Sequence, residues 1–254
     1  MPTVVSANIL FKLGWRDARE ALRQVLATEP DLVGLQEWYA SRALVLRETG
    51  TVRTVPDLTL GLPVAFPRRR PPAFHWVSSL GCGNVVGARA DRYDLVSSDA
   101  VVLSGIGRSD RPDRFLATEP PRLVTIGVFR DRLGGGTVAL MSYHLAPGVE
   151  KRGRYIEDRP LLEARHRQEV GRLERLIAEH QAAGHLVYAV GDSNFDGQRL
   201  AGLVSAWQGR EDAPGTIGSR TRKLDDVHGP VEALEVRLLH TPSDHRAVVA
   251  VLPD

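Results

Sequence analysis

Six places in this sequence put a polar, chemically capable side chain in or directly after an apolar run. They are Asn8, Glu37, His144, Asp192 with Asn194, Asp225 with Asp226, and Asp244 with His245. A lone strand-end Asp or Asn ordinarily caps a turn. Six such sites in one chain point to chemistry, because a charge in a buried-strand pattern is costly unless it is paired or holds a cation. Carboxylates and a carboxamide are hard oxygen donors, suited to Mg²⁺ or Mn²⁺ rather than zinc. Other templates fail. Gly191-Asp192-Ser193-Asn194-Phe195 is no Gly-x-Ser-x-Gly elbow. No Walker loop and no Gly-x-Gly-x-x-Gly fingerprint after a strand is present. A metal-assisted hydrolase with two histidines remains.

The elements that must position these groups are legible in outline. Val4–Leu10 reads as a buried strand. Asp17 and Glu20 form a candidate capping box for a helix with Ala18, Ala21, Leu22, Val25 and Leu26 at helical spacing. Pro30 stops that helix, and 32–37 reads as a second strand, so Asn8 and Glu37 each close a strand. From Arg53 to about Pro121 the pattern is β-rich, with candidate strands Asn84–Ala88, Tyr93–Ser98 and Ala100–Leu103. Pro63 to Pro72, carrying Arg68–Arg70, reads as a loop. Arg122–Phe129 and Thr137–His144 form a strand pair joined by Gly134-Gly135-Gly136. A second amphipathic helix runs from about Pro160 to Ala183, with Gly184 at its C-cap. Then come the strand Leu186–Val190, a turn at 191–194, an irregular stretch to Arg222, and the last strands Leu234–Leu239 and Ala247–Leu252. Mixed strands and few helices, with no repeat or linker, suggest one domain over residues 1–254: sheets packed on each other with helices outside.

Composition narrows the class further. The 254 residues are 43% hydrophobic and 25% charged, which excludes a disordered or rod-like protein. No apolar run reaches the ~18 residues of a membrane span, and the amino terminus lacks a signal-peptide pattern. A soluble, cytoplasmic monomer is the expectation. The single Cys82 excludes an internal disulfide and a Cys-rich zinc site. All but Lys12, Lys151 and Lys223 of the 33 cationic side chains are arginine. Arginine holds phosphate bidentately, although a GC-rich genome would produce the same bias.

In order, Ser6-Ala7-Asn8, Leu35-Gln36-Glu37, Tyr143-His144-Leu145-Ala146-Pro147, Gly191-Asp192-Ser193-Asn194, Lys223-Leu224-Asp225-Asp226-Val227 and Ser243-Asp244-His245 span nearly the whole chain. Together they resemble the motifs of the endonuclease/exonuclease/phosphatase superfamily, the group with the pancreatic deoxyribonuclease-like fold. The resemblance implies an α/β (α+β) four-layer α-β-β-α sandwich of two packed mixed sheets flanked by helices. It implies a Mg²⁺ (or Mn²⁺) site with Glu37 as central ligand, helped by Asn8 and Asp244. It implies that Asp192 orients or deprotonates water, Asn194 helps hold the scissile phosphate, and His245 is oriented by Asp225. His144 would stabilise charge or serve as general acid. Such a set meets the needs of phosphate-ester hydrolysis: an in-line water, countercharge, and help for the leaving oxygen. Ser193 stands where the family has an apolar residue. Asp226 follows Asp225 where the family has an aromatic residue or His, so Asp226 could compete for His245 and add negative charge near the substrate.

For substrate, Arg68–Arg70, Arg152 with Arg154, and Arg220, Arg222 and Lys223 fall in expected loops. The last three directly precede Asp225 and are candidate substrate-binding residues for a polyphosphate backbone, unless they are simply solvated. The leading reading is a metal-dependent phosphodiesterase acting on nucleic acid, DNA before RNA, without strict abasic-site specificity. A phosphatase or diesterase for a small phosphorylated molecule or lipid headgroup is the rival, and a non-catalytic binding module is the third.

Overall fold

A computed structural model describes residues 1–55, 72–79, 81–113, 115–218 and 221–253. Strand β1 (Thr3–Asn8), helix α1 (Trp15–Leu26) and strand β2 (Leu32–Gln36) make a parallel β-α-β unit. Helix α2 (Ala43–Thr49) leads to β3 (Gly50–Thr54), β4 (Phe74–Ser79), β5 (Asn84–Arg89) and β6 (Tyr93–Ser104). A small ladder of β7 (Gly107–Arg108) and β8 (Thr118–Glu119) precedes β9 (Arg122–Asp131) and β10 (Thr137–His144). The short hairpin of β11 (Glu150–Lys151) and β12 (Arg154–Tyr155) runs into helix α3 (Pro160–Ala182). The chain finishes with β13 (Leu186–Asp192), β14 (Val204–Ser205), β15 (Asp225–Gly229), β16 (Glu235–Leu239) and β17 (Ala247–Val251).

Two large sheets result, ordered β16-β17-β1-β2-β5-β4-β3 and β14-β15-β13-β10-β9-β6. Each is mixed: β1 runs parallel to β2, β3 to β4 and β10 to β13, among antiparallel neighbours. Their facing sides share a core in which Val4, Leu32 and Val86 meet Phe129, Leu140, Val190 and Val227. On the outside of the first sheet, Val5, Ala7 and Val33 pack under α1 (Ala18, Ala21, Leu22, Val25) and α2 (Val45, Leu46). Outside the second, Ala139, Met141 and Ala189 pack under Leu173 and Ile177 of α3. This is the four-layer α-β-β-α sandwich. Strands buried on both faces are mostly apolar, which is why β1, β2 and β13 read as largely hydrophobic runs.

Gly34 lets the two sheets approach closely. A β-carbon on Gly34 in β2 would lie 2.0 Å from Val190 Cγ2, far inside van der Waals contact. The polar stitches between the sheets sit one and two residues further along β2: Gln36 Nε2 donates to Ser142 Oγ (3.1 Å), which donates to the Leu35 carbonyl (3.0 Å).

Several local expectations change. Helix α1 starts at Trp15 behind Gly14 with no side-chain cap, so Asp17 lies inside the first turn and the capping box does not form. Tyr93–Ser98 and Ala100–Leu103 are one strand, irregular where it meets β9. Gly191 and Asp192 belong to β13 rather than to a turn, because they continue its ladder with Tyr143 and His144. Helix α2 and strands β3, β4 and β15 were not expected. Arg68–Arg70 lie outside the described residues.

Candidate active site

The sheet registers bring the six motifs to one end of the sandwich. Asn8 and Gln36 are partners at the ends of β1 and β2, with Glu37 next. His144 is opposite Asp192 at the ends of β10 and β13, and Asp192 is opposite Asp225 at the start of β15. His245 comes two residues before β17, which pairs with β1. In parallel neighbours, residues that end strands collect on one edge, where α/β proteins place their chemistry.

Asp192 is the hub. Its Oδ2 accepts from Asn8 Nδ2 (3.0 Å), which joins the two sheets, and lies 3.6 Å from His144 Nε2 and 3.9 Å from His245 Nδ1. Its Oδ1 accepts the Asn194 backbone N–H (2.7 Å). Asn194 sits at φ 53°, a left-handed conformation Asn tolerates, and donates its amide to the Leu145 carbonyl (3.1 Å). His245 Nδ1 is hydrogen-bonded to Asp225 Oδ2 (2.7 Å). One ligand atom each from Asp192, Asp225 and His245 fall within 4.8 Å of one another.

Burial sets the protonation of this group. Desolvation, then the Asp225 charge, push Asp192 up to about 7. Burial alone would lower His245, but the charge and hydrogen bond of Asp225, with Asp192 and Asp244, outweigh it and raise the imidazole to about 10. His245 is therefore cationic at neutral pH, with Asp225 Oδ2 2.7 Å from its Nδ1. His144 goes the other way: burial, then the Arg122 and His245 charges, hold it well below 6.5, so it is neutral.

Glu37 follows Gln36, the register partner of Asn8, at a strained backbone. Its φ is 58°, unusual for a residue with a β-carbon, and its Oε2 accepts the Phe11 N–H (2.7 Å). Arg42 builds that loop from beneath, donating to the carbonyls of Ile9 (2.7 Å), Leu10 (2.8 Å), Phe11 (2.8 Å) and Leu13 (3.0 Å). Ser243 Oγ donates to the Asn8 carbonyl (2.8 Å) and accepts from Leu10 N–H (3.1 Å), latching the Asp244–His245 loop to β1. Asn8 Oδ1 is buried and has no hydrogen-bond partner among the described residues. An unspent amide oxygen in the register of Glu37 is the donor type that Mg²⁺ or Mn²⁺ takes, so these residues fit such an ion. Asp244 is exposed, with its carboxylate 3.4 Å from Ser243 Oγ.

Other expected site residues lie elsewhere. Asp226 points to the opposite face of β15, accepting from Ser205 Oγ (2.5 Å) and lying 3.3 Å from His228 Nε2. It neither competes for His245 nor adds charge at the site, because adjacent strand residues face opposite sides. Arg222 is paired with the buried Glu150 (2.5 Å). Lys223 is buried, its ammonium donating to the carbonyls of Glu211 (2.6 Å) and Thr221 (3.3 Å). Neither is a free cation for substrate. Arg220 lies outside the described residues.

Arg122, Arg42 and His166 went unnoticed in the sequence. Arg122 Nη1 reaches the His144 carbonyl (3.5 Å) from the start of β9. His166 of α3, fully buried, contacts the Ser193 carbonyl through Nε2 (2.8 Å) and steadies the turn carrying Asn194. Ser193 completes that turn by donating to the Leu224 carbonyl (2.9 Å), a polar contact an apolar residue could not make. A lone Arg or His among helix or strand residues carries no spacing signal.

No protein-family model and no curated protein sequence matches the chain. Among solved structures it is similar to D. rerio TDP2 complexed with single-strand DNA product, at 16% identity over 98% of this chain and 97% of that one, with a TM-score of 0.64. It is similar to a mannosyl-6-phosphatase of Bacteroides thetaiotaomicron, at 14% identity over all of both chains, TM-score 0.64. A third likeness is an endonuclease/exonuclease/phosphatase family protein of the same organism, at 15% identity over 98% and 93%, TM-score 0.65. The chain thus has the fold of the endonuclease/exonuclease/phosphatase proteins, the superfamily its six motifs resemble.

Proposed function

We propose that this protein is a divalent-metal-dependent phosphodiester hydrolase acting on a polynucleotide, DNA before RNA. The observation that carries the reading is the buried chain Asn8–Asp192 with the Asp225–His245 pair beside it, assembled from both sheets at one strand edge. Glu37 and Asn8 Oδ1 would hold the ion, with Asp244 at the rim. When bound, Mg²⁺ or Mn²⁺ acts as a Lewis acid on a phosphoryl oxygen.

Asp192, poised near neutrality, takes a proton from water as the water oxygen bonds to phosphorus and the ester P–O bond opposite it breaks, the leaving oxygen keeping the bonding pair and taking a proton from solvent. Cationic His245 places its free Nε2–H on the developing charge, and Asp225 keeps it charged and oriented. Asn194 holds a non-bridging oxygen. Neutral His144 donates a hydrogen bond, and its imidazole gains proton affinity when an anion occupies the site. No described helix is long and apolar enough to cross a membrane.

The mannosyl-6-phosphatase matches as well as the DNA-bound TDP2, which supports a second reading, a phosphatase for a small phosphate ester. A substrate panel with Mg²⁺ and Mn²⁺ separates the two: supercoiled and single-stranded DNA, RNA, bis-p-nitrophenyl phosphate, p-nitrophenyl phosphate and sugar phosphates. We expect cleavage of the diesters, abolished by EDTA and by Asp192→Asn. Turnover of monoesters alone would replace the first reading by the second, and full activity in Asp192→Asn would remove Asp192 from water activation.

A further inference from the structure

The hairpin of β11 and β12 breaks two rules of β-structure at once. Its turn residues Arg152 (φ 58°) and Gly153 (φ 73°) are both left-handed, the conformation of a tight two-residue hairpin turn. Asn, Asp or Gly belongs at the first of these positions; a β-carbon and a long cationic side chain do not. Directly behind the turn, Lys151 and Arg154 are cross-strand partners, two like charges face to face. Such pairs destabilise a ladder. All three cations are exposed, and none has an ion-pair or hydrogen-bond partner among the described residues. Local choices that work against the local structure mark a functional surface.

The hairpin is nevertheless held firmly, and it is held against the catalytic edge. Buried Glu150 accepts from Gly153 N–H (2.5 Å) and from Arg222 Nη2 (2.5 Å), tying the turn to the segment that enters Asp225. Behind it, Tyr155 packs on Phe195, the residue after Asn194, with ring centroids 4.7 Å apart. Val149, Ala146 and Leu162 complete that small core, so the hairpin rests on the residues that follow His144 and Asn194.

Accepting the hydrolase reading above, we propose that Lys151, Arg152 and Arg154 form a cationic wall that binds the sugar-phosphate backbone of a single-stranded polynucleotide beside the scissile phosphate. A small monoester presents one phosphate, which Asn194, His144 and His245 already serve. Three unpaired cations on a rigid ridge match a run of successive phosphates, each contact releasing condensed counterions. The wall also supplies the free positive charge that Arg222 and Lys223, spent on internal contacts, do not.

The test is fluorescence anisotropy with a labelled oligothymidylate, comparing the native chain with Lys151→Thr/Arg152→Asn/Arg154→Thr across a KCl series. Asn suits the left-handed turn and Thr suits a cross-strand pair, so the variant keeps the hairpin, which circular dichroism and the Tm check. With ~0.7 of log–log salt slope per single-strand phosphate contact, the variant should lose about 2 from the slope and bind about tenfold or more weaker at low salt. Its turnover of bis-p-nitrophenyl phosphate should stay at the native rate. Unchanged affinity and slope in a folded variant would overturn the wall, as would lost bis-p-nitrophenyl phosphate turnover with oligonucleotide binding intact. Failure of the native protein to hydrolyse either nitrophenyl ester would instead sink the hydrolase reading, and the anisotropy result stands apart from it.

Discussion

Replacing Asp225 by Asn removes the charge that holds His245 cationic and leaves the shape of the site. Asp225 is fully buried and 2.7 Å from His245 Nδ1, and an amide oxygen can still accept that hydrogen bond. The imidazole is raised from 6.5 to about 10, with burial opposing and Asp225 the leading support. Without that charge it should return to ~6.5 or below, a change worth up to about 5 kcal/mol between the two protonation states. At pH 7.5 the cationic fraction then drops from nearly all to about a tenth, so kcat/KM should fall about tenfold or more. The sign for stability follows. A raised folded-state pKa contributes stability that is full below ~6.5 and is lost as pH climbs through about 10. Native protein should therefore lose stability over that window, and Asp225→Asn should lose much less. The assay is an NMR titration of the His245 ring in metal-free protein, paired with urea unfolding from pH 6 to 10. If the native imidazole titrates near 6.5, or the variant still titrates near 10, the electrostatic account of His245 is wrong.

Three further outcomes are expected. Gly34→Ala drives a methyl into Val190, so it should destabilise by about 1–3 kcal/mol in urea melts and lower Mg²⁺-supported turnover by shifting Glu37 from Asp192. Arg42→Lys loses the fan of carbonyl contacts that shapes residues 9–13, and should raise the Mg²⁺ concentration for half-maximal activity while kcat at saturating Mg²⁺ recovers. Arg152→Asn alone relieves a left-handed arginine and should raise stability by about 1 kcal/mol, read as a higher Tm.

The sequence disclosed the strand ends well because β1, β2, β10 and β13 are buried on both faces, which makes them mostly apolar, with a carboxylate, carboxamide or imidazole standing out at or just after the end. Asn8, Glu37, His144 and Asp192 were visible for that reason. The register that sets Asp225 opposite Asp192 and turns Asp226 away depends on the pairing of β13 with β15, and no local pattern encodes it. Asp226 therefore looked able to compete with Asp225 for His245. Arg222 and Lys223 looked free because their partners, Glu150 and the carbonyls of Glu211 and Thr221, come from elsewhere in the chain or from irregular backbone. The capping box failed for a related reason: helix α1 begins at Trp15, two residues before Asp17 and behind Gly14, and nothing in the spacing forbids that start.

Anomalous scattering from a crystal soaked in Mn²⁺ tests the central claim most directly. The account predicts a single strong peak within coordination distance of the Glu37 carboxylate and Asn8 Oδ1, weakened or lost in Glu37→Gln. A peak seated between Asp225 and His245, displacing their hydrogen bond, would contradict it, and so would no peak at this edge at saturating Mn²⁺.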